Sequence, residues 1–166
     1  MTKAEELLAL AHRCETEDPS RELDAAIDAE VRSRMTHPDL PKGYTMARGA
    51  DHRLARAPYI TRDRGPAPAY TTSLDSAVSL KPAGWRFRNM DEGEPTSRHL
   101  QPCAEIIPLY GNDAVWTAYT NACGERGRIM GFGKTLPSAL TAAALRARAA
   151  IEQDQARFAP HPSRTA

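Results

Sequence analysis

Four stretches of this chain carry apolar residues at helical spacing. Leu7, Leu10, Ala11 and Cys14 form one stripe behind "TKAE", which has the form of a capping box in which Thr2 serves the amide of Glu5 and Glu5 reaches back. Pro19 interrupts that pattern, and Ser20 is placed to cap a second helix over 20–35. Leu23, Ala26, Ile27 and Val31 share its apolar face, which Met35 extends, so the first two helices are expected to form a hairpin. A third, over 70–80, groups Tyr70, Leu74, Ala77 and Val78, with Thr71, Thr72 or Ser73 as candidate caps and Pro82 and Gly84 as terminators. The fourth, over 136–153, starts at the N-cap Thr135 with Pro137 in its first turn. Its stripe of Leu136, Leu140, Ala143, Ala144, Ala147 and Ile151 is mostly small, which lets a helix lie close on a sheet.

Between 84 and 133 the pattern changes to alternation. "WRFRNM" sets Trp85 and Phe87 against Arg86 and Arg88, and "AEIIPLY" follows, with Pro108 marking an edge, a bulge or the strand's end. "VWTAYTN" reads as a third strand and "RGRIMGFG" as a fourth, with glycine-containing turns at 111 and 124–127 suiting antiparallel connections. Gly131 and Gly133 allow a tight backbone approach just before the last helix. The predicted fold class is therefore α+β. It comprises an N-terminal helical hairpin, an antiparallel sheet of three to four strands with helices packed on it, and a C-terminal alanine-rich helix. One domain is expected over 1–157, followed by a disordered tail over 158–166.

Residues 36–69 show no sustained period. Pro38, Pro41, Pro58, Pro66 and Pro68, with Gly43, Gly49 and Gly65, punctuate what reads as an irregular insertion. Within it five arginines face two aspartates, Asp51 and Asp63. Arg48, Arg53, Arg56, Tyr59, Ile60, Arg62 and Arg64 combine the residue types that anchor interfaces, and they are the predicted partner-binding set. The remaining reading of the segment is a solvated excursion.

Composition narrows the function. Among 166 residues, 41% are hydrophobic, 26% charged and 6% aromatic, and the formal net charge is +1. Such a balance provides no global field toward nucleic acid or anionic lipid. No apolar run reaches the length of a membrane span, and "MTKAEELLALAHRC" lacks a signal peptide's apolar core, so a cytoplasmic protein is expected. Cys14, Cys103 and Cys123 are widely spaced, without CxxC, and read as reduced thiols rather than metal ligands. "RIMGFGKT" ends like a phosphate-binding loop but lacks its first glycine. GxSxG, HExxH and DxDxDG are absent from the sequence. The expectation is a non-enzymatic protein, with no catalytic, metal or cofactor residues to name.

One alternative comes from element order. A helix, three strands and a C-terminal alanine-rich helix is also the order of double-stranded RNA-binding domains, whose last helix begins with phosphate-gripping cations. Here Lys134 is the single lysine near that start, and Arg146 and Arg148 lie far along the helix.

The motifs "AEELLALAHRCE", "RELDAAIDAEV", "AYTTSLDSAVSLKPAGWRF" and "KTLPSALTAAALRARAA" together resemble the phage ABA sandwich family, over roughly residues 3–34 and 70–151. "YTTSLDSA" and "LPSALTAAALRAR" carry most of the likeness. The resemblance implies helices packed on an antiparallel sheet, and it transfers no catalytic residues. Residues 36–69 and 91–103 exceed the family's pattern. The implied function is a phage- or prophage-encoded accessory protein that binds a host protein or ribonucleoprotein in the bacterial cytoplasm. Its sharpest form is an inhibitor of host antiviral defence of the anti-CRISPR kind. The alternative is the double-stranded nucleic-acid-binding module.

Overall fold

Nine apolar residues of one helix, seven of them alanines, are buried within twelve positions of the chain, and the architecture follows from that. In the computed structural model, α5 (Leu136–Phe158) buries Ala139, Leu140, Ala142, Ala143, Ala144, Leu145, Ala147, Ala149 and Ala150. A helix apolar around most of its girth must be covered on two sides. Ala142, Leu145 and Ala149 meet α1 (Lys3–Thr16) and α2 (Arg21–Val31) through Leu7, Cys14, Leu23 and Ile27. Ala139, Leu140, Ala143, Ala147 and Ala150 turn to a sheet instead, joining Trp85, Ala104, Ile106 and Ile129. The single stripe read from the sequence therefore spans parts of both faces, since Ala144 joins the first core and Leu140, Ala143 and Ala147 the second. The structure describes residues 1–93, 100–109, 113–123 and 128–158, without the side chains of 113–115, 122, 123 and 158. The predicted turns at 111 and 124–127, the side chain of Cys123 and the tail beyond Phe158 lie outside the described residues.

The sheet under α5 is antiparallel, in the order β4 (Trp85–Asp91), β5 (Cys103–Pro108), β6 (Ile129–Phe132). β5 is buried at all six positions and stops at Pro108, which has no N–H to extend the ladder. Trp85 pairs with Pro108 and Phe87 with Ile106, and a bulge between Phe87 and Asn89 shifts the register beyond. β6 lies so close beneath α5 that a Cβ on Gly131 would run into the backbone of Ala139 and Ala143. Thr135 caps α5 by accepting the Ser138 amide at 3.2 Å. The capping box at Thr2 and Glu5 and the cap at Ser20 form as expected, and Ser73 is the cap of α3 (Leu74–Ser79).

Three expectations are corrected. "VWTAYTN" lies in a helix, α4 (Asp113–Cys123), not in a strand. Trp116 and Tyr119, three apart, stack edge-on at 5.6 Å, and Tyr119 meets Trp85 at 5.9 Å. The side chain of Asn121 donates to Asp154 of α5 at 2.9 Å. Packing of one helical face thus overrides the strand preference of aromatic and β-branched residues. The second helix ends at Val31 rather than 35, because Ser33 adopts a left-handed backbone (φ 52°). Met35 consequently lies in β1 (Arg34–Met35) and pairs with Met46. Residues 36–69 are not uniformly irregular. β2 (Tyr44–Ala47) and β3 (Arg64–Pro66) join β1 in a second antiparallel sheet, and a short 3-10 helix spans His52–Arg56.

Candidate functional site

Two carboxylates of α2, one turn apart, tie down the chain that follows: Asp28 holds the small sheet through Thr45 of β2, and Asp24 holds Thr71, beyond β3. Asp24 and Asp28 are both fully buried, a placement that costs several kcal/mol unless donors surround each charge. Asp24 accepts the amide and hydroxyl of Thr71, each at 2.9 Å, and pairs with Arg21 at 2.8 Å. Asp28 accepts the Thr45 hydroxyl at 2.5 Å, the Tyr70 hydroxyl at 3.1 Å and Arg32 at 3.2 Å. Arg34 stands 3.5 Å from Asp28 and also donates to the Thr45 hydroxyl, the Thr45 carbonyl and the Asp63 carbonyl. Burial, and then the Asp28 charge, raise the Tyr70 phenol well above its ordinary range. With their oxygens saturated, Asp24 and Asp28 serve as a staple rather than as bases. Burial, reinforced by Asp24, likewise pushes the Cys14 thiol up to about 12, which leaves it inert.

The segment 48–63 connects β2 to β3, and the predicted binding residues divide there into two kinds. Arg64 is not a surface residue: it is 5% exposed. Antiparallel pairing puts it beside Met46 on β2, its guanidinium lies 5.1 Å from the centre of the Tyr44 ring, and its Nη1 donates to the Tyr59 carbonyl at 2.6 Å. It holds the loop from below, and its Nε has no hydrogen-bond partner among the described residues. Tyr59 and Ile60, by contrast, are 59% and 64% exposed. Arg48, Arg53, Arg56 and Arg62 are exposed as well. Arg48 donates to the Arg34 carbonyl at 3.2 Å, and Arg56 pairs with Asp39 at 2.9 Å. Among the described residues the side chains of Arg53 and Arg62 make no ion pair. Asp51 caps the 3-10 helix by accepting the Arg53 amide, and Thr61 accepts the Arg64 amide through its side chain. The arrangement is a short, braced loop that presents a tyrosine and an isoleucine among cations.

A second site was not foreshadowed by local sequence. Glu15 of α1 and Arg146 of α5 form a two-point ion pair beside β6, over a trough of about 770 Å³. The two residues are 131 positions apart, and each fits the polar side of its own helix, so nothing in either stretch marks the pair. Among the described residues no three His, Cys, Asp or Glu side chains converge as metal ligands, and no helix is long and apolar enough to cross a membrane. Comparison of the chain with protein-family models, curated proteins and solved structures gives no match.

Proposed function

We propose that the protein works by binding a host macromolecule through the segment 48–62, without chemistry of its own. The observation that carries this reading is the exposed Tyr59–Ile60 pair, set among Arg53, Arg56 and Arg62 on a loop braced by Arg64, whose sheet Asp28 ties to α2. A braced loop loses little conformational entropy on docking, and tyrosine with arginine is the mixture that carries interface energy. The partner is a protein or ribonucleoprotein with an acidic face. The likeness to the phage ABA sandwich family supports a phage or prophage setting. There the target belongs to the bacterial host, and inhibition of its antiviral defence is the sharpest form of the proposal.

The nucleic-acid alternative calls for three consecutive strands and for free cations where α5 begins. α4 stands between β5 and β6 in the chain, Lys134 pairs with Asp18 at 2.7 Å, and Arg148 donates to the Leu80 carbonyl. The test compares affinity purifications from bacterial extract using the wild-type chain and a Tyr59→Ala/Ile60→Ala/Arg62→Glu variant, with and without nuclease. The expected result is one stoichiometric partner lost with the variant. Equal recovery by both chains would overturn the assignment of the loop. Strongly salt-dependent gel shifts with generic duplex would favour the alternative.

A further inference from the structure

We propose that the outer edge of β6 docks an extended peptide segment of a partner protein, taken up as a fourth strand of the main sheet. This goes beyond the role given to the loop and uses none of its residues. β6 is a sheet edge in the order β4–β5–β6. Gly133 directs its amide inward, to the Pro102 carbonyl. Because the direction alternates along an antiparallel strand, Met130 and Phe132 direct their main-chain groups outward. Among the described residues, side chains and not another strand meet them there. Arg146 Nη1 donates to the Met130 carbonyl at 2.6 Å, and Glu15 Oε1 accepts the Phe132 amide at 3.1 Å. The two side chains supply one donor and one acceptor where an added strand would supply its own N–H and C=O.

The space for that strand is present. The trough of about 770 Å³ runs along this edge, with Leu8 and Glu15 of α1 on one side and Ala149 and Ala150 of α5 lining it. Its volume lies in the range of ligand sites. Because α1 walls the trough, it admits a single extended segment and not the helix-flanked edge of a second folded copy. Charge narrows the occupant further. Glu15 and Arg146 neutralise each other, while Arg128 at the start of the edge is 66% exposed and stands 3.9 Å from Glu105, its nearest carboxylate among the described residues. A segment with an acidic side chain at that end complements the site. On docking, the Glu15–Arg146 pair keeps its mutual contacts and hands its two main-chain bonds to the peptide, acting as a latch on an edge that would otherwise invite indiscriminate pairing.

The experiment pans the full chain against a displayed library of linear peptides about nine residues long, a length matched to a strand with flanks. Selected peptides are then titrated into isotope-labelled wild-type protein. The expected peptides are extended, carry a shared acidic position and slow hydrogen exchange at the Met130 amide. Leu8→Glu, at a position already 39% exposed, should weaken them about tenfold or more without moving the melting temperature. Arg128→Glu should do the same, and Glu15→Ala should tighten binding by releasing the latch. The proposal is overturned if no peptide is selected, or if those selected ignore Leu8→Glu or leave Met130 exchange unchanged. Concentration-dependent self-association blocked by Leu8→Glu would also overturn it, because the occupant would then be a second copy.

Discussion

Replacing Asp28 with alanine removes the acceptor on which three separate parts of the chain converge. The Thr45 hydroxyl at 2.5 Å and the Tyr70 hydroxyl at 3.1 Å would both lose it, and both residues are at most 2% exposed, so water cannot take its place. Each buried donor left unsatisfied costs about 1–3 kcal/mol. Arg34 keeps the carbonyls of Thr45 and Asp63, and Arg32, half exposed, turns to solvent. Removing a desolvated charge returns part of the loss. The net is about 3–4 kcal/mol, near the lower end of what breaking a buried charged contact costs. Against a total stability of about 5–15 kcal/mol, the variant should still fold. Urea unfolding should therefore show a lower midpoint at unchanged slope. A cycle with Thr45→Val isolates the contact. Valine should destabilise the native background, be nearly neutral beside alanine at 28, and leave a coupling above about 1 kcal/mol. A loss below about 1 kcal/mol, or simple additivity, would refute the staple.

Gly131→Ala should cost about 3 kcal/mol, because the new methyl meets helix backbone that cannot swing aside. Gly49→Ala, where nothing lies nearby but φ is +80°, should cost about 1 kcal/mol in the same melts. Burial, and then the neighbouring Glu6 charge, hold the Glu30 carboxyl above its ordinary value of 4.5. A raised carboxyl pKa means that stability is fullest below the ordinary value and is lost as pH rises through the raised one. Glu30→Gln should thus raise the melting temperature at neutral pH, with the gain vanishing below about pH 4 in a pH series. Reversing Arg56 and Arg62 together should weaken partner binding by more than about 2 kcal/mol by titration calorimetry, while the melting temperature hardly moves.

The caps at Thr2, Ser20 and Thr135 and the close approach at Gly131 were legible because each depends on residues within a few positions of one another. The α+β class was legible for the same reason, since it follows from local period. β1, β2 and β3 were not, because strands of two to four residues are too short to display alternation, and prolines and glycines stand among them. α4 was misread because "VWTAYTN" fits alternation and helical spacing alike, and only Trp85 and Asp154, distant in sequence, decide between the two. At the loop, the exposure of Tyr59 and Ile60 matches its composition. Arg64 belongs to the same set and has the opposite role, because antiparallel pairing with Met46 makes it a buried residue of β3 that holds the Tyr59 carbonyl. The Glu15–Arg146 latch left no trace in either local pattern, since one member sits on each of two distant helices.

Because α5 serves both cores, its place in the chain also sets when they can form. Residues 3–31 and 85–108 leave the ribosome well before 136–158, by several seconds at about 5–20 residues per second. Until α5 arrives, Leu7, Leu23 and Ile27 lack Leu145, and β5 lacks the cover that Ala139 and Ala143 provide. A nascent chain halted before residue 136 should consequently be open to proteases along its whole emerged length. The arginine loop is bound by the same schedule, because the staple of its sheet stands on α2, whose Leu23 and Ile27 share one core with Leu145 of α5. No shorter piece carrying residues 48–64 should present that loop in its folded form, and the binding surface becomes available to a partner only when synthesis has passed α5.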